Sequence, residues 1–422
     1  VIVADPDFQT ALQPLVDWKT RKGFVVIEAY TDDPLVGSSN DSIHSFLKDM
    51  YDNASASNPA PTYLLIVGDD AQVPSFSGNT GSHISDMYYC EFDGNGDFYP
   101  EMYYGRFSAT TAAEGLVSQG IVAIMGADCS GVTGAVASNV AVPNGITIIS
   151  PSATSPGLTT LKDKGLFFRT APSDARGGQI LADITKDRGV KSVAVTYTNN
   201  DYGKGLADVY SAAVKAHGIK VTTVTAHEDG KADYSAEVST LASAGGDAVA
   251  VIGYLDQGGK GIIQGSLDSG AFDTFILSDG MIGDSLTDTF GKSLNKSFGS
   301  LPGSLGKGAG VFGKVAKAAG IDPSGPYTGE SYDAAALIVL AMQASGSADR
   351  GSIAKNVMSV ANAPGTKIYP GQLKKGLDLL AKGKAIDYEG ATAVKFTDVG
   401  EHVGNFIEKE IKGGKFKNKK QR

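Results

Sequence analysis

Apolar residues along this chain fall into two rhythms that alternate, short β-branched runs and stripes at helical spacing. Residues 1–4 (VIVA) are an apolar run. Residues 8–22 then place Leu12, Leu15, Val16 and Trp18 at helical spacing, and Gly23 ends that helix. FVVIEAY at 24–30 predicts a buried strand. In 38–53, Asn40 or Asp41 serves as N-cap and Ile43, Phe46, Leu47 and Met50 share one face. SASNPAP at 55–61 is a loop, and YLLIVGD at 63–69 is a second buried strand. The order β-α-β-α-β is that of a parallel sheet with helical crossovers.

From Gly120 the rhythm resumes with different wording. IVAIMG (121–126), ITIIS (146–150), SVAVTYT (192–198), KVTTVTA (220–226), DAVAVIGY (247–254) and TFILSD (274–279) predict strands, with helical patterns between them at 203–216 and 233–244. Residues 328–346 predict a long core helix with too many polar positions for a membrane span. The Gly-rich stretch 300–320 reads as a mobile loop. The alternation over 120–346 predicts a doubly wound α/β architecture of at least two lobes.

Composition sharpens the division. Residues 1–115 carry 17 Asp+Glu against 5 Lys+Arg, a net of −12, whereas the other 307 residues have a net of +3. The first segment also holds 16 of the 35 aromatic residues and the single Trp. Two segments of different origin, 1–115 and 116–422, account for this shift. The overall net charge of −9 argues against a general nucleic-acid binder. Two cysteines exclude a disulfide scaffold and a Cys-based zinc cluster. The chain opens at Val1 without a signal-like segment, so it is expected to be a mature product or fragment of a periplasmic or secreted protein. The basic end KFKNKKQR reads as a solvated tail.

Candidate chemistry in the second segment sits after strands, where α/β sheets place ligands. Ser130 follows the strand at 121–126 and opens a helix, so its hydroxyl and the free N–H groups there suit a carboxylate. Ser152 and Thr154 follow the strand at 146–150, and Asp279 ends TFILSD. The stretches CSGVTGAVA (129–137), ISPSATSPGLT (149–159), FFRTAPSDARGGQILADI (167–184), NNDYGKGLADVY (199–210), DYSAEVSTLASAGGDAVAVIGY (233–254) and DPSGPYTGESYDAAALI (322–338) resemble the Leu/Ile/Val-type periplasmic amino-acid-binding proteins of ABC transporters, from about Gly120 to about Phe416. The resemblance implies a type I periplasmic-binding-protein fold of two α/β lobes closing on one amino acid. It implies no catalysis, no organic cofactor and an ABC permease as partner. It also assigns roles. Ser130 and Thr154 take the carboxylate, the Ser152 carbonyl and Asp279 take the ammonium, and Tyr202 and Tyr254 close over the ligand. Asp279 stands where this family often has Glu. Each residue has a plain alternative: Ser130 an N-cap, Thr154 a loop residue, Tyr202 and Asp279 parts of turns.

The first segment lacks the opening vocabulary of that family. LQPLVDWKTRKGF (12–24), VGSSNDSIHSFLKDMYD (36–52), APTYLLIVGDD (60–70) and SDMYYCEFDGNGDFYPEMYYGRFSA (85–109) resemble the N-terminal part of the gingipain catalytic domain, the Lys-specific type above all. Gingipains are cysteine peptidases whose His-Gly pair precedes a nucleophilic Cys. Here no Cys follows Cys129, so His217-Gly218 has no thiolate to activate and peptidase activity is rejected. DGNGDFYPE places Asp93, Asn95, Asp97, Tyr99 and Glu101 at alternate positions, a pattern of hard oxygens suited to Ca²⁺. The gingipain resemblance adds Asp69 and makes Tyr99 a ligand through its carbonyl. A solvated acidic turn is the other reading of the loop.

The gingipain-like β-α-β-α-β unit stands where a binding protein's first lobe normally begins. It either completes that lobe or precedes it as a separate domain, and the fusion reads as a chimera. Cys129 matches a family cysteine that often pairs with one in the replaced segment. Cys90 is the one candidate partner here, and both a bridge and two free thiols stay open. The expected function is binding of a free amino acid, of the branched-chain type or another, between two lobes. The alternatives are a catalytically dead peptidase fragment and a hybrid that binds nothing.

Overall fold

The computed structural model describes residues 1–77, 84–93, 100–107, 120–362 and 364–422. The chain divides into two compact units, Val1–Gly120 and Ile121–Arg422.

In the first unit four parallel strands run in the order Glu28–Tyr30, Ile2–Ala4, Tyr63–Val67, Tyr103–Phe107. Side chains of the central strand alternate between faces, as the strand's period of two requires. Ile2 and Ala4 pack with Leu12 of the helix Gln9–Arg21 and with Val67. Val3 points the other way, into a core with Ile43 and Leu47 of the helix Asn40–Asp52, Ile66, Tyr89 and Met102. Ser39, not Asn40 or Asp41, caps that helix, in a reciprocal capping box with Ser42. The predicted strand at 24–30 shrinks to Glu28–Tyr30, because the neighbouring strand pairs with it only from Glu28 onward. Val25 is consequently 83% exposed, although its run is apolar.

The second unit has two lobes. The first is built on three parallel strands, Ala123–Met125, Thr147–Ser150 and Phe167–Arg169, with Thr147–Ser150 in the middle. The helix Thr328–Ser345 lies in its core with Leu337, Leu340 and Ala341 buried beside Ile149 and Phe168. Asp333 on that helix is fully buried and accepts from Tyr388 Oη (2.8 Å), the Ala391 N–H (2.8 Å), the Thr392 N–H (2.9 Å) and Thr392 Oγ1 (2.7 Å). The second lobe carries seven strands in the order Lys220–His227, Ser192–Thr198, Ala248–Ile252, Phe275–Leu277, Phe298–Pro302, Phe406–Lys412, Lys415–Gln421. The first five are parallel and the last two antiparallel. Helices Asp174–Asp187 and Asp201–Ala216 cover one face through Leu181, Leu206 and Tyr210. The chain passes between the lobes three times, near 170–173, 303–306 and 403–405. Besides its four-stranded sheet, the first unit has a two-stranded one, Phe76–Ser77 with Ile84–Ser85.

Two expectations are overturned here. Residues 300–320 are not a loop: they hold the end of the strand Phe298–Pro302 and the helix Lys307–Ala318. Gly308, Phe312 and Ala316, four residues apart, form its buried face, and Gly308 allows contact with the Gly390 carbonyl. The basic C-terminus is not a solvated tail but the strand Lys415–Gln421, paired with Phe406–Lys412. Arg422 donates to Glu408 Oε2 (2.9 and 2.6 Å) and Asp187 Oδ2 (2.7 Å), and Arg188 donates to Glu408 Oε1 (2.7 Å). The basic residues therefore have acids to meet.

Candidate ligand-binding site

The site residues of the first lobe sit on two loops that leave neighbouring strands at their C-terminal ends. Serine hydroxyls staple these loops together. Ser150 Oγ donates to the Ala127 carbonyl (2.6 Å) and accepts the Ala153 N–H (3.0 Å). Ser152 Oγ donates to the Asp128 carbonyl (3.0 Å). Ser130, the first residue of the helix Ser130–Val136, accepts the Ser155 N–H at its Oγ (3.1 Å), which leaves its own proton to donate. Ser130 and Thr154 are both buried, and Ser152 is half-buried. The Thr154 carbonyl accepts the Asp174 N–H (2.8 Å).

The second lobe supplies the acid. Asp279 follows the strand Phe275–Leu277 and is buried. Its Oδ1 accepts from Tyr202 Oη (2.6 Å) and its Oδ2 from Tyr327 Oη. Tyr202 lies in the first turn of the helix Asp201–Ala216 and also accepts the Gly280 N–H (3.3 Å). Tyr254 stacks on it with ring centroids 5.3 Å apart. Ser155 Oγ makes a bridge to the Asp201 carbonyl (3.1 Å). The two lobes thus meet directly at this point.

Electrostatically the cleft is short of positive charge. Burial lifts the Asp279 carboxyl above the usual range, against the tyrosine hydrogen bonds that lower it. Asp174 is lifted well above the usual carboxylate range, first by burial and then by the neighbouring Asp279 carboxyl. Thr154 and the field of Arg169 act the other way. Asp174 Oδ2 is buried with no hydrogen-bond partner. An ammonium group placed between these carboxyls would relieve both the repulsion and the orphaned oxygen.

The structure therefore brings Ser130, Thr154, Tyr202, Tyr254 and Asp279 into one contact network, with Ser152 at its rim. Three members were not singled out from the sequence. Asp174 reads locally as an ordinary first-turn acid after the N-cap Ser173. Tyr327 has no helical stripe to mark it and takes a left-handed backbone, φ +58°. Arg169, at a strand end, looks like a surface base but is fully buried.

Residues 108–371 match the periplasmic binding protein family. The chain belongs to that family. A relative of this periplasmic binding protein, the Leu/Ile/Val-binding protein homolog 1 of Brucella melitensis biotype 1, is 32% identical over 254 residues, 58% of this chain and 66% of the relative. The solved structure of the branched-chain amino acid transporter substrate binding protein LivJ from Streptococcus pneumoniae, in complex with isoleucine, superposes with a TM-score of 0.60 at 20% identity. That superposition covers 76% of this chain and 87% of the other. Residues 1–117 match peptidase family C25. Lys-gingipain of Porphyromonas gingivalis is 38% identical over 114 residues, 27% of this chain, but the match spans only 6% of the gingipain's length. The solved neighbours of this binding protein are substrate-binding proteins, and the peptidase likeness stops short of a peptidase domain.

The calcium residues fare unevenly. Asp97 and Tyr99 lie outside the described residues. Asp69 Oδ1 accepts the Ala71 N–H (2.9 Å), and Glu101 Oε2 accepts the Phe92 N–H (2.6 Å). Among the described residues no group of three His, Cys, Asp or Glu could hold a metal ion, so Asp69, Asp93 and Glu101 do not form a site by themselves. Both cysteines are free: Cys90 is buried and Cys129 half-buried beside Tyr254.

Proposed function

We propose that this chain is the substrate-binding protein of an ABC transporter, working outside the cytoplasm, and that it holds one free α-amino acid of the branched-chain type. The observation that carries the reading is Asp279. It is buried and gripped by two tyrosine hydroxyls, and its carboxyl acts on that of Asp174, another buried acid, which has one oxygen without a partner. In this reading the ammonium sits against Asp279 and Asp174, and the carboxylate meets Ser130, Thr154 and the start of the helix Ser130–Val136. The name of the Brucella relative, a Leu/Ile/Val-binding protein homolog, supports the side-chain class.

Calorimetric titration of ligand-stripped protein with the twenty amino acids tests this. Saturable heat is expected with leucine, isoleucine or valine, and no heat with any of the twenty refutes the reading. Asp279→Asn keeps the volume and an acceptor but removes the charge. It should weaken binding about 100-fold, the roughly 2–5 kcal/mol typical of a desolvated charge pair that loses one partner.

A further inference from the structure

Arg169 closes the strand Phe167–Arg169, and its side chain is fully buried. Its Nη1 donates to two carbonyls, Ala153 (3.1 Å) and Ser155 (2.8 Å), which flank Thr154. Its Nη2 donates to Thr159 Oγ1 (3.0 Å) and to the Glu401 carboxylate. Thr159 Oγ1 in turn donates to Glu401 Oε1 (2.5 Å). The backbone of Arg169 is tied to the same place, with its N–H on the Gly400 carbonyl (3.0 Å) and its own carbonyl accepting the His402 N–H (3.1 Å). Residues 400–404 lead directly into the strand Phe406–Lys412 of the second lobe.

The remaining bonds of the loop explain why two carbonyls matter. Ser155 gives its N–H to Ser130 Oγ and its hydroxyl to the Asp201 carbonyl, while Thr154 holds Asp174 through its carbonyl. A turn of the 153–154 or the 155–156 peptide unit would break its carbonyl's bond to Arg169 and disturb Thr154, which lies between them. Nη1 holds both carbonyls while Nη2 reaches Thr159 and Glu401, four acceptors at fixed angles that the three N–H groups of a lysine ammonium cannot all satisfy. Burying this ion pair, with the Arg169 Nε–H left unpartnered, is a poor route to stability alone.

We propose that Arg169 is a positioning residue for the ligand loop and Glu401 its anchor. The pair sets the Ala153 and Ser155 carbonyls on either side of Thr154 and ties that loop to the third passage between the lobes. The proposal rests on reading this cleft as the ligand site, so its test begins without ligand.

Hydrogen exchange read by mass spectrometry is compared in the full chain for wild type, Arg169→Met, Arg169→Lys and Glu401→Gln. Exchange of the amides at 152–158 is expected to rise at least tenfold in Arg169→Met and severalfold in Glu401→Gln, with Arg169→Lys between them. Peptides from 192–198 and 248–252 should stay at wild-type rates. Wild-type rates at 152–158 in the variants overturn the proposal, as does a loss of protection spread over both lobes, the mark of a merely structural role. If Arg169→Met does not fold, Glu401→Gln decides by the same criterion. Titration with leucine, isoleucine and valine follows, with binding expected at least tenfold weaker in Arg169→Met and partly restored in Arg169→Lys. A wild type that binds no amino acid sinks the proposed function, while the exchange rates still decide for or against the role of Arg169.

Discussion

Glu330 offers the sharpest test of how burial governs this protein. It lies in the first turn of the helix Thr328–Ser345, 4% exposed, and lines a cavity of about 490 Å³ with Tyr327, Phe312 and Lys409. Burial raises its carboxyl from 4.5 to about 8, its own backbone N–H pulls the other way, and Asp333 adds to the rise. The folded chain therefore keeps a proton that the unfolded chain releases across pH 4.5–8. Stability falls as pH rises through that window, by about 1.4 kcal/mol per unit, and levels off above the folded value. Over about 3.5 units the loss is roughly 5 kcal/mol. Gln matches the protonated acid in shape and does not titrate. Glu330→Gln should be near wild type at pH 4.5, about 3 kcal/mol more stable at pH 7 and roughly 5 kcal/mol more stable at pH 8.5. Urea melts at four pH values, followed by far-ultraviolet circular dichroism, measure this. Trp18 belongs to the first unit, so its fluorescence does not report on this helix. His227 and His402, lowered by burial to about 4, shape both curves and cancel to first order in the difference. A stability difference that stays constant within about 1 kcal/mol from pH 5 to 8.5 would refute the reasoning.

Other perturbations are simpler. A Cβ at Gly280 would lie 2.4 Å from the Gly253 carbonyl oxygen and 3.1 Å from Tyr202 Oη. Gly280→Ala should therefore displace the backbone beside Asp279, cost about 1–3 kcal/mol and weaken amino-acid binding tenfold; an unchanged melt and affinity would contradict this. Arg422→Ala leaves Glu408, 1% exposed, with Arg188 at 2.7 Å and Lys419 at 3.9 Å as cationic partners. A loss of about 1–3 kcal/mol in urea melts is expected, below the full cost of stranding a buried charge, and a change under about 0.5 kcal/mol would mean the terminal strand contributes little. The oxygens at alternate positions of 93–101 motivate a calcium proposal, in which EGTA lowers the melting temperature of the first unit and added Ca²⁺ restores it. Identical melts with and without the chelator leave the acidic-turn reading.

What could be read from the sequence follows from what burial does to it. Strands covered on both faces, such as Ser192–Thr198 and Ala248–Ile252, are continuous apolar runs and announce themselves. The helix Lys307–Ala318 was hidden because its buried face is built partly from glycine, which composition assigns to loops. The terminal hairpin had a readable signal, the Gly413-Gly414 turn with both residues at positive φ, but its polar strand obscured it. In the candidate site, Ser130, Thr154 and Asp279 could be singled out because strand ends are where such sheets place ligands. Asp174 and Arg169 were not, because their roles are set by partners distant in sequence. The helix Asp174–Asp187 makes the point with its two end residues. Asp187 is exposed, and its hydrogen bond from Arg422 holds its carboxyl below the usual range. Asp174, the same residue type on the same helix, is buried near Asp279 and is pushed the opposite way. Local sequence cannot separate the two. Burial beside a second carboxyl does, and it makes the charged form of an ordinary first-turn acid costly.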